Sequence, residues 1–434
     1  MNIFSVVFFF RPSDRTPKLN VQVSLSMFDF KSIIRNSELI RRNIKDRKAI
    51  GEIDTVCRLW EESKMIKTKL DVLRKQKNQF TAQIKEGKEV LEEARILKAN
   101  RLHAEKEYDE LQTSLEEAVS MLPNDTCPTS PIGDASKNKI VYESPEINRT
   151  LGKDHVEILT EFNLADFEAA AKVSGSRFYY LKNEAAMMEQ SLIQFAVSKC
   201  IAHGFKFITT PELVRKEFTK KCGFHPRESS SSYNIDSTDL NLVGTSEVPL
   251  AALHMDSTLN LKEPIKYVGL SHCFRPESNH YGKNTRGLFR VHQFTKVEMF
   301  CLTKENSDKI LEEIVNIQRE ICNDLELKFR VLDMATEELG ASAFKKYDIE
   351  AWFKGKGFGE ICSASNCTDY QARRLGIRFA GNGRGAFAHT VNGTACAIPR
   401  VIAALVEQNY EGDKIRIPKA LQIGLLKDKA EIKK

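Results

Sequence analysis

Residues 270–300 read LSHCFRPESNHYGKNTRGLFRVHQFTKVEMF, and this pattern predicts two strands joined by a long polar loop. The first strand is expected over residues 267–274. Arg275 and Glu277 follow two positions apart, which places their side chains on the same side of a strand. The second strand is expected over residues 288–300, with Arg290, Phe294 and Glu298 two or four positions apart on one face. Arginines, carboxylates and an aromatic ring are therefore aimed at one surface.

This set of side chains suits a nucleotide. An arginine can bind a phosphate through two parallel hydrogen bonds. An aromatic ring can stack on a purine, and a carboxylate can accept a hydrogen bond from an exocyclic amine. The alternative is a half-exposed hairpin whose charges are only solvated, since alternating charge is ordinary on such a sheet. The stretch by itself leaves both alternatives open.

The totals indicate a globular protein with room for two domains or so. The chain has 434 residues, of which 41% are hydrophobic, and its formal net charge of +6 permits a nucleic-acid partner without requiring one. Its ten cysteines form no Cys-x-x-Cys pair, so a zinc site is not expected and the thiols are expected to be reduced. No apolar run approaches the ~20 residues of a membrane span, so no membrane segment is expected.

Residues 30–122 are predicted to form an antiparallel two-helix coiled-coil arm. Heptad positions that are apolar, apart from Ser63, Lys77 and Arg101, step by three and four from Val56 to Ile84, and again from Ala94 to Leu122, with a turn near residues 85–88. The first helix is expected to be ~40 Å long. Lys and Arg outnumber acidic residues around its tip. The arm could be a dimerisation rod, a solvated helix pair, or a contact for a phosphate backbone.

Prolines and small polar residues over residues 123–150 predict a linker, and residues 151–426 are expected to form a second domain. That domain starts with a helix over residues 184–203, a glycine, a strand over residues 205–210 and a proline. Thr245 and Glu247 follow in a Thr-x-Glu pattern, which is a very weak signal by itself. Residues 427–434 are a charged tail that is expected to fray.

Two later stretches also bring polar side chains to the ends of predicted strands. Glu360 and, three positions on, Ser363 lie on a strand that precedes a helix. A carboxylate and a hydroxyl beside a triphosphate can hold Mg²⁺, which prefers oxygen ligands. The alternative is a polar strand end that caps the helix. Residues 389–400 read HTVNGTACAIPR and lead into an apolar helix, so Arg400 lies near a helix start, where it can bind a phosphate.

Together these stretches resemble the signature motifs of class II aminoacyl-tRNA synthetases. The seryl form of the second motif is similar to two segments here that are separated by a variable loop. These segments are Phe-Arg-x-Glu and Arg-Gly-Leu-x-Arg-Val-His-Gln-Phe-x-Lys-Val-Glu. The helix, glycine, strand and proline are similar to the first motif, and residues 389–400 to the third. The resemblance covers residues 30–425 and implies an α+β fold. In this fold a class II antiparallel β-sheet core, flanked by helices, follows the N-terminal coiled-coil arm.

The resemblance to seryl-tRNA synthetases also implies roles for individual residues. Arg275 is expected to span the serine carboxylate and the α-phosphate of ATP, and Arg275 and Arg400 are the expected catalytic residues. The other ATP-binding residues are expected to be Pro276, Glu277, Arg290, Val291, Phe294, Glu360, Ile361, Cys362, Ser363 and Arg400. Of these, Glu360 and Ser363 are also expected to hold Mg²⁺. The serine-binding residues are expected to be Thr245, Ser246, Glu247, Arg275, Glu298, Asn392 and Thr394.

The implied activity is that of a serine–tRNA ligase. Serine is activated with ATP to seryl-adenylate and then transferred to the 3′ end of tRNA(Ser), which the arm is expected to touch. Neither step needs a protein nucleophile, so positioning and charge neutralisation are expected to supply the rate. The family also implies a homodimer. The rival interpretations are a catalytically inactive relative that binds RNA or serves as structure, a class II synthetase for another amino acid, and a pure nucleic-acid-binding scaffold.

Residues 1–29 are expected to be a leader. An apolar run over residues 3–10 precedes Arg11, Arg15 and Lys18, and this order favours a mitochondrial presequence over a secretory signal. Pro399 stands where bacterial and cytosolic forms commonly have a glycine, and so resembles the mitochondrial form. The mitochondrial matrix is therefore the expected location. A cytoplasmic enzyme, with a leader that has no targeting role, is the alternative.

Overall fold

The arm is a helical hairpin. The protein is represented by a computed structural model that describes residues 28–87, 89–146, 152–224, 232–277, 286–354, 356–380 and 386–434. Two short helices, α1 (Phe30–Arg35) and α2 (Ser37–Asp46), lead into the long helices α3 (Ile53–Lys85) and α4 (Leu91–Ser120). The 33 residues of α3 span about 50 Å. The expected ~40 Å was too short because α3 continues beyond the predicted heptad positions at both ends.

The seam between α3 and α4 is packed more tightly at the base of the arm than at the tip. Val56 and Leu115 are fully buried at the base. Ser63, which occupies a predicted seam position, accepts a hydrogen bond of 2.6 Å from the side chain of Gln112. Near the tip, Ile84 is 41% exposed. The base of the arm is therefore the part that apolar burial holds together.

The remainder of the chain is built on an eight-stranded sheet. Neighbouring strands in it are antiparallel, except for the final pair in the strand order given next, which is parallel. The strand order is β1 (Lys139–Glu143), β10 (Phe329–Asp333), β11 (Lys345–Phe353), β12 (Gly357–Thr368), β14 (His389–Ala397), β9 (Gln293–Thr303), β8 (Ile265–Phe274) and β4 (Lys206–Thr209). A large antiparallel sheet flanked by helices and preceded by a helical arm confirms the predicted fold class.

Three helices cover one face of this sheet, namely α7 (Asn183–Ala202), α10 (Ser307–Asp324) and α12 (Ile398–Gln408). Val297, Ile349 and Val391 point into the apolar layer beneath them and are fully buried. Helix α10 comes so close to β14 that a Cβ at Gly393 would collide with Ile314. Apolar side chains of the sheet thus fill the helix-covered face. On the opposite face, Phe300 and Leu302 of β9 are buried in a second apolar cluster, and the polar residues lie beside it.

The remaining elements are short and surround the sheet. The other helices are α5 (His155–Glu161), α6 (Phe167–Ser174), α8 (Lys216–Lys221), α9 (Glu247–Ala252) and α11 (Tyr370–Leu375). Four two-stranded sheets pair β2 (Ala165–Asp166) with β3 (Tyr180–Leu181), β5 (Leu213–Arg215) with β6 (Leu240–Leu242), β7 (Thr258–Leu259) with β13 (Arg378–Phe379), and β15 (Lys414–Arg416) with β16 (Glu431–Lys433). No helix in the described part of the chain has the length and apolar character needed to cross a membrane.

The strand register brings the predicted polar residues side by side on the open face of the sheet. Ser363 of β12 faces Asp348 of β11, and Glu298 of β9 faces Thr394 of β14. A bulge at residue 361 adds one residue to β12. This extra residue returns Glu360 to the same face as Ser363, although positions three apart on a regular strand point to opposite faces.

Two stretches with predicted loop character carry structure. The predicted linker, residues 123–150, contains β1, which forms the edge of the main sheet next to β10. The charged tail was expected to fray, but β16 pairs with β15 and Ile432 is 3% exposed. Both short strands are held by ladder hydrogen bonds to another strand, β1 to the distant β10 and β16 to the nearby β15, and composition alone does not reveal either pairing.

Candidate active site

Two adjoining cavities open on the polar face of the sheet. Cavity A, of about 60 Å³, is lined by the predicted residues Arg275, Glu277, Arg290, Val291, Phe294, Glu360, Ile361, Cys362, Ser363, Thr394 and Arg400. Cavity B, of about 450 Å³, is lined by the predicted residues Thr245, Glu247, Arg275, Glu298, Glu360, Ser363 and Asn392. Arg275, Lys296, Glu360 and Ser363 line both cavities and therefore mark the place where they meet.

Two predicted residues lie beside the cavities without lining them. Pro276 follows Arg275 directly, and its ring nitrogen has no hydrogen to donate to a strand ladder. Ser246 is fully buried, and its Oγ is 3.0 Å from the position that a Cβ on Gly269 of β8 would occupy. The Ser246 side chain therefore points at the sheet rather than into cavity B.

The predicted strand positions of three residues were wrong. Strand β8 ends at Phe274, so Arg275 and Glu277 lie beyond it, and Glu277 has a φ of 49°. Strand β9 begins at Gln293, so Arg290 lies in the turn before it. Pro276 ends the ladder because it has no N–H group. Arg290 nevertheless forms an ion pair with Glu277, so these side chains meet as loop residues and not through strand alternation.

The two arginines at the outer end of cavity A are held by carboxylates and carbonyls. Arg290 pairs with Glu277. Arg400, in the first turn of α12, lies 3.3 Å from a carboxylate oxygen of Glu360 and donates hydrogen bonds to the carbonyls of Phe289 and Glu360 at 3.0 and 2.9 Å. A phosphate chain could take the place of the carboxylates, because guanidinium groups bind both anions in the same geometry.

Arg275 lies at the junction of the two cavities. One of its guanidinium nitrogens donates to the carbonyl of Gly244 at 3.3 Å. Its Cζ is 5.2 Å from the centroid of the Phe294 ring. One cationic side chain can thus face ligands in both cavities, and the ring of Phe294 helps to fix it.

Glu360 is an ionised carboxylate at the junction. Burial opposes its ionisation, but Arg400, Lys346 and Arg275 hold its pKa at about 2. The carboxylate of Glu360 and the hydroxyl of Ser363 lie on the same face and together offer oxygen ligands of the kind that Mg²⁺ accepts. Among the described residues no group of three His, Cys, Asp or Glu side chains could hold a metal ion. A Mg²⁺ ion bound by one carboxylate and by substrate phosphates does not require such a group.

Cavity B contains two carboxylates linked by amide and hydroxyl groups. Glu247 accepts hydrogen bonds from Gln371 at 2.6 Å and from Asn392 at 3.0 Å. Glu298 accepts from the hydroxyl of Thr394 at 3.0 Å and forms an ion pair with Lys296. Burial, and then the charge of Glu298, raise the pKa of Glu247 to about 7. Burial and Glu298 both disfavour a negative charge on Glu247, and a small ligand with an ammonium group would offset both effects.

Comparisons with known proteins agree with this geometry. Residues 232–409 match the family model for the tRNA synthetase class II core domain (G, H, P, S and T), and residues 27–126 match that for the seryl-tRNA synthetase N-terminal domain. The serine–tRNA ligase of Borrelia recurrentis is 41% identical over 412 residues, covering 91% of this chain and 97% of that protein.

The chain belongs to the seryl-tRNA synthetase family. It is therefore a class II aminoacyl-tRNA synthetase, and the resemblance found in the sequence is confirmed. The solved seryl-tRNA synthetase from Pyrococcus horikoshii, complexed with ATP, has a TM-score of 0.84 and 35% identity, covering 94% of this chain and 99% of its own. The cytoplasmic enzyme from Naegleria fowleri, in complex with AMP, has a TM-score of 0.79 and 28% identity, covering 92% and 96%.

Several residues at the cavities of this seryl-tRNA synthetase were missed by sequence reasoning. Lys296 lines both cavities, and its position between Phe294 and Glu298 in the strand alternation was a usable signal. Phe289 lines cavity A, and the ammonium nitrogen of Lys356 is 2.8 Å from the centroid of its ring. Gln371, which donates to Glu247, comes from α11, and no local pattern pointed to it.

Proposed function

We propose that this seryl-tRNA synthetase activates serine with ATP to seryl-adenylate and transfers the seryl group to the 3′ end of tRNA(Ser). The observation that carries the proposal is the junction of cavities A and B at Arg275, a cation that faces both. The relatives and the neighbouring structures, among them a seryl-tRNA synthetase complexed with ATP, support it. The predicted arginine and carboxylate positions are all filled, which disfavours an inactive relative.

Cavity A is the proposed site for ATP. Glu277 would accept a hydrogen bond from the adenine amine, the ring of Phe294 would stack on the base, and the backbone of Val291 would lie beside it. Arg290 and Arg400 would exchange their present carboxylate partners for the outer phosphates. Releasing a carboxylate to bind a phosphate keeps each guanidinium paired, which avoids a buried unpaired charge.

Cavity B is the proposed site for serine. Thr245, Glu247 and Glu298 would bind its ammonium and hydroxyl groups, Thr394 would close on the hydroxyl, and Arg275 would bind its carboxylate. A carboxylate oxygen of serine then forms a bond to the α-phosphorus as the bond to pyrophosphate breaks, and the electron pair leaves with pyrophosphate. Alanine would leave the buried polar groups around Glu298 unpaired, and sites of this type discriminate by about 10⁴.

Mg²⁺ is the proposed metal, held by the carboxylate of Glu360 and the hydroxyl of Ser363. When bound, it would neutralise charge on the phosphates of ATP. Despite burial, Arg400, Lys346 and Arg275 lower the pKa of Glu360 and so favour the ionised carboxylate that a metal ion would bind. Arg400, which now pairs with Glu360, would turn to the phosphates at the same time.

The arm formed by α3 and α4 is the proposed contact for tRNA(Ser). Its tip is rich in Lys and Arg, and such contacts with a phosphate backbone weaken as salt rises. The loop over residues 278–286 is proposed to approach the acceptor end of the tRNA; residues 278–285 of it lie outside the described residues.

Serine-dependent exchange of pyrophosphate into ATP tests the activity. We expect exchange with serine and little with alanine, threonine, proline or glycine. Arg275→Ala should lower kcat/KM by about 10²–10³, the usual loss when one preorganised charge-stabilising donor is removed. Arg416→Ala is a matched control, because Arg416 pairs with Glu326 at 2.7 Å and lines neither cavity. Wild-type protein without exchange, or Arg275→Ala that equals Arg416→Ala, would contradict the proposal.

A homodimer is proposed through the first motif, which α7 and β4 represent. Three apolar side chains on and beside these elements are exposed: Ile201 at 50%, Phe207 at 45% and Leu213 at 45%. A subunit contact through these elements would bury such side chains. Sedimentation should give a dimer at micromolar concentration, and a monomer there would refute this proposal.

Mitochondrial translation is the proposed setting, and a cytoplasmic one is the alternative. The proposal is supported by the composition of the first 29 residues, of which residues 1–27 lie outside the described residues, and by Pro399. Pro399 lies in the first turn of α12, where a proline is tolerated because that N–H has no helical partner. Residues 1–29 fused to a fluorescent reporter should direct it to mitochondria. A cytosolic reporter would favour the alternative.

A further inference from the structure

Lys296 is a buried cation that the proposed chemistry does not yet use. It lies on β9, and its side chain is 7% exposed. Its ammonium nitrogen donates a hydrogen bond to the Thr245 hydroxyl at 2.8 Å and forms an ion pair with Glu298. It also lines both cavities, so rotation about its four side-chain bonds can carry the charge from one to the other.

Lys296 now holds the partners that the ammonium of serine is expected to use. Thr245 and Glu298 belong to the proposed serine pocket, and Thr245 also accepts from the backbone N–H of Glu247 at 3.2 Å. We do not expect two ammonium groups to share these partners, because like charges repel and Thr245 and Glu298 are each only 1% exposed. Serine must therefore displace Lys296 from at least one of them.

Charge balance indicates where the displaced ammonium goes. Four carboxylates and four cations line cavity B and its junction, so their formal charges balance: Glu247, Glu298, Glu338 and Glu360 against Arg47, Arg275, Lys296 and Lys346. Serine adds one positive and one negative group at opposite ends. Local neutrality is kept when Lys296 follows the new negative charge, the serine carboxylate, which lies towards Arg275 in the proposed pose.

We propose that Lys296 is a serine-responsive cation, which fills the ammonium site in the free enzyme and turns to the attacking carboxylate and the α-phosphate when serine binds. It rests on the proposed function, since it concerns the same two cavities. Lys296 transfers no proton in this step. It stabilises the negative charge that gathers between the carboxylate oxygen, the α-phosphorus and the leaving pyrophosphate. Activation would then depend on an occupied serine pocket.

Pyrophosphate exchange with Lys296→Met separates this role from a structural one. We expect kcat to fall about 10²–10³-fold while the KM for serine stays level or falls, because the competing ammonium is gone. A residue that only supports the pocket would instead raise the KM for serine. Lys266→Met is the matched control, since Lys266 is also a partly buried β-strand lysine paired with a glutamate, Glu313, but lies away from both cavities. It should leave both constants unchanged.

Binding of serine analogues gives a readout that does not need activity. Ethanolamine has the ammonium and hydroxyl of serine without a carboxylate, so in the wild-type protein it must displace Lys296 with no carboxylate to receive it. Calorimetry should show ethanolamine binding to Lys296→Met at least tenfold more tightly than to wild type. The analogue 3-hydroxypropanoate has no ammonium, so Lys296→Met should not bind it more tightly.

The exchange kinetics and the binding of serine analogues distinguish failure of this inference from failure of the proposed function. Equal ethanolamine affinity in the wild type and Lys296→Met, or an unchanged kcat, would overturn the inference while leaving the proposed function intact. A wild-type protein that exchanges no pyrophosphate would overturn the proposed function, whatever the binding data show. If Lys296→Met does not fold, Lys296→Gln carries the same expectations, because it removes the charge and keeps a polar group for Thr245 and Glu298.

Discussion

The raised pKa of Glu247 makes serine affinity depend on pH in a range that is simple to measure. Glu247 lies in the first turn of α9, is 5% exposed, and accepts hydrogen bonds from Gln371 and Asn392. Its pKa is about 7 because burial disfavours the charge and Glu298 repels it. Only the ionised form can pair with the ammonium of serine, so affinity should rise as the pH rises through 7.

The magnitude follows from the fraction of Glu247 that is ionised. With a pKa of about 7, roughly one tenth is ionised at pH 6 and roughly nine tenths at pH 8. If bound serine keeps the carboxylate ionised throughout, the KM for serine should be about tenfold higher at pH 6 than at pH 8. Glu247→Gln should have a high KM for serine at both pH values, because the amide carries no charge to titrate.

Stability gives an independent check with a definite sign. The folded-state pKa of Glu247 lies above its ordinary value of 4.5. The free energy of unfolding is therefore highest, as far as this group is concerned, below pH 4.5, and it declines as the pH rises towards 7. The difference amounts to about 3 kcal/mol above pH 7. Relative to wild type, Glu247→Gln should thus gain melting temperature between pH 5 and pH 8.

Serine titrations in the pyrophosphate exchange assay at pH 6, 7 and 8, with saturating ATP, measure the effect. Asp348 supplies the essential control, because burial raises the pKa of this second carboxyl, opposite Ser363, to about 7 as well. Asp348→Asn should keep the pH dependence of the KM for serine, and Glu247→Gln should lose it. A flat wild-type profile, or a slope that survives in Glu247→Gln and vanishes in Asp348→Asn, would refute the reasoning.

Two further substitutions test the surroundings of the cavities. Arg47 is 1% exposed and donates hydrogen bonds to the carbonyls of Asn124 at 2.9 Å and Ala343 at 3.0 Å. Arg47→Met should cost about 3–5 kcal/mol of stability by thermal melting and raise the KM for serine more than that for ATP, because Arg47 and Ala343 line cavity B. An equal rise in both KM values would speak against this link. Burial, and then Arg400, lower the pKa of Lys356 to about 8. Lys356→Gln should raise the KM for ATP about tenfold at pH 7 and leave the KM for serine unchanged. An unchanged KM for ATP would show that this lysine does not reach the phosphates.

Most of the residues that line the two cavities could be predicted because they stand in short, ordered patterns. Arg275 and Glu298 lie within one stretch of 31 residues, and Arg400 follows a strand-to-helix transition that the apolar pattern marks clearly. The heptad stepping likewise predicted both helices of the arm. Roles for individual residues, such as the stacking of Phe294 on adenine, stay predictions until a ligand is bound.

Other features could not be predicted because they depend on contacts between distant parts of the chain. Nothing near Gln371 indicates that its side chain donates to Glu247, which is 124 positions away. Arg290 was placed on a strand by its alternation with Phe294, yet it lies in a turn, because the ladder stops at Pro276. The extra residue in β12 that turns Glu360 towards Ser363 has no signature in the local sequence.

The sequence by itself determined the family, the periodicity of the arm and the kinds of side chain available for a nucleotide and a small polar substrate. Each of these follows from the types of residues and their spacing over short stretches of sequence, because local backbone geometry depends directly on that spacing. Only the tertiary structure decided that Lys296 lies between Thr245 and Glu298, and that burial and Glu298 raise the pKa of Glu247. The burial of a side chain and the charges around it depend on how several strands and helices pack together, and short sequence patterns do not specify that packing.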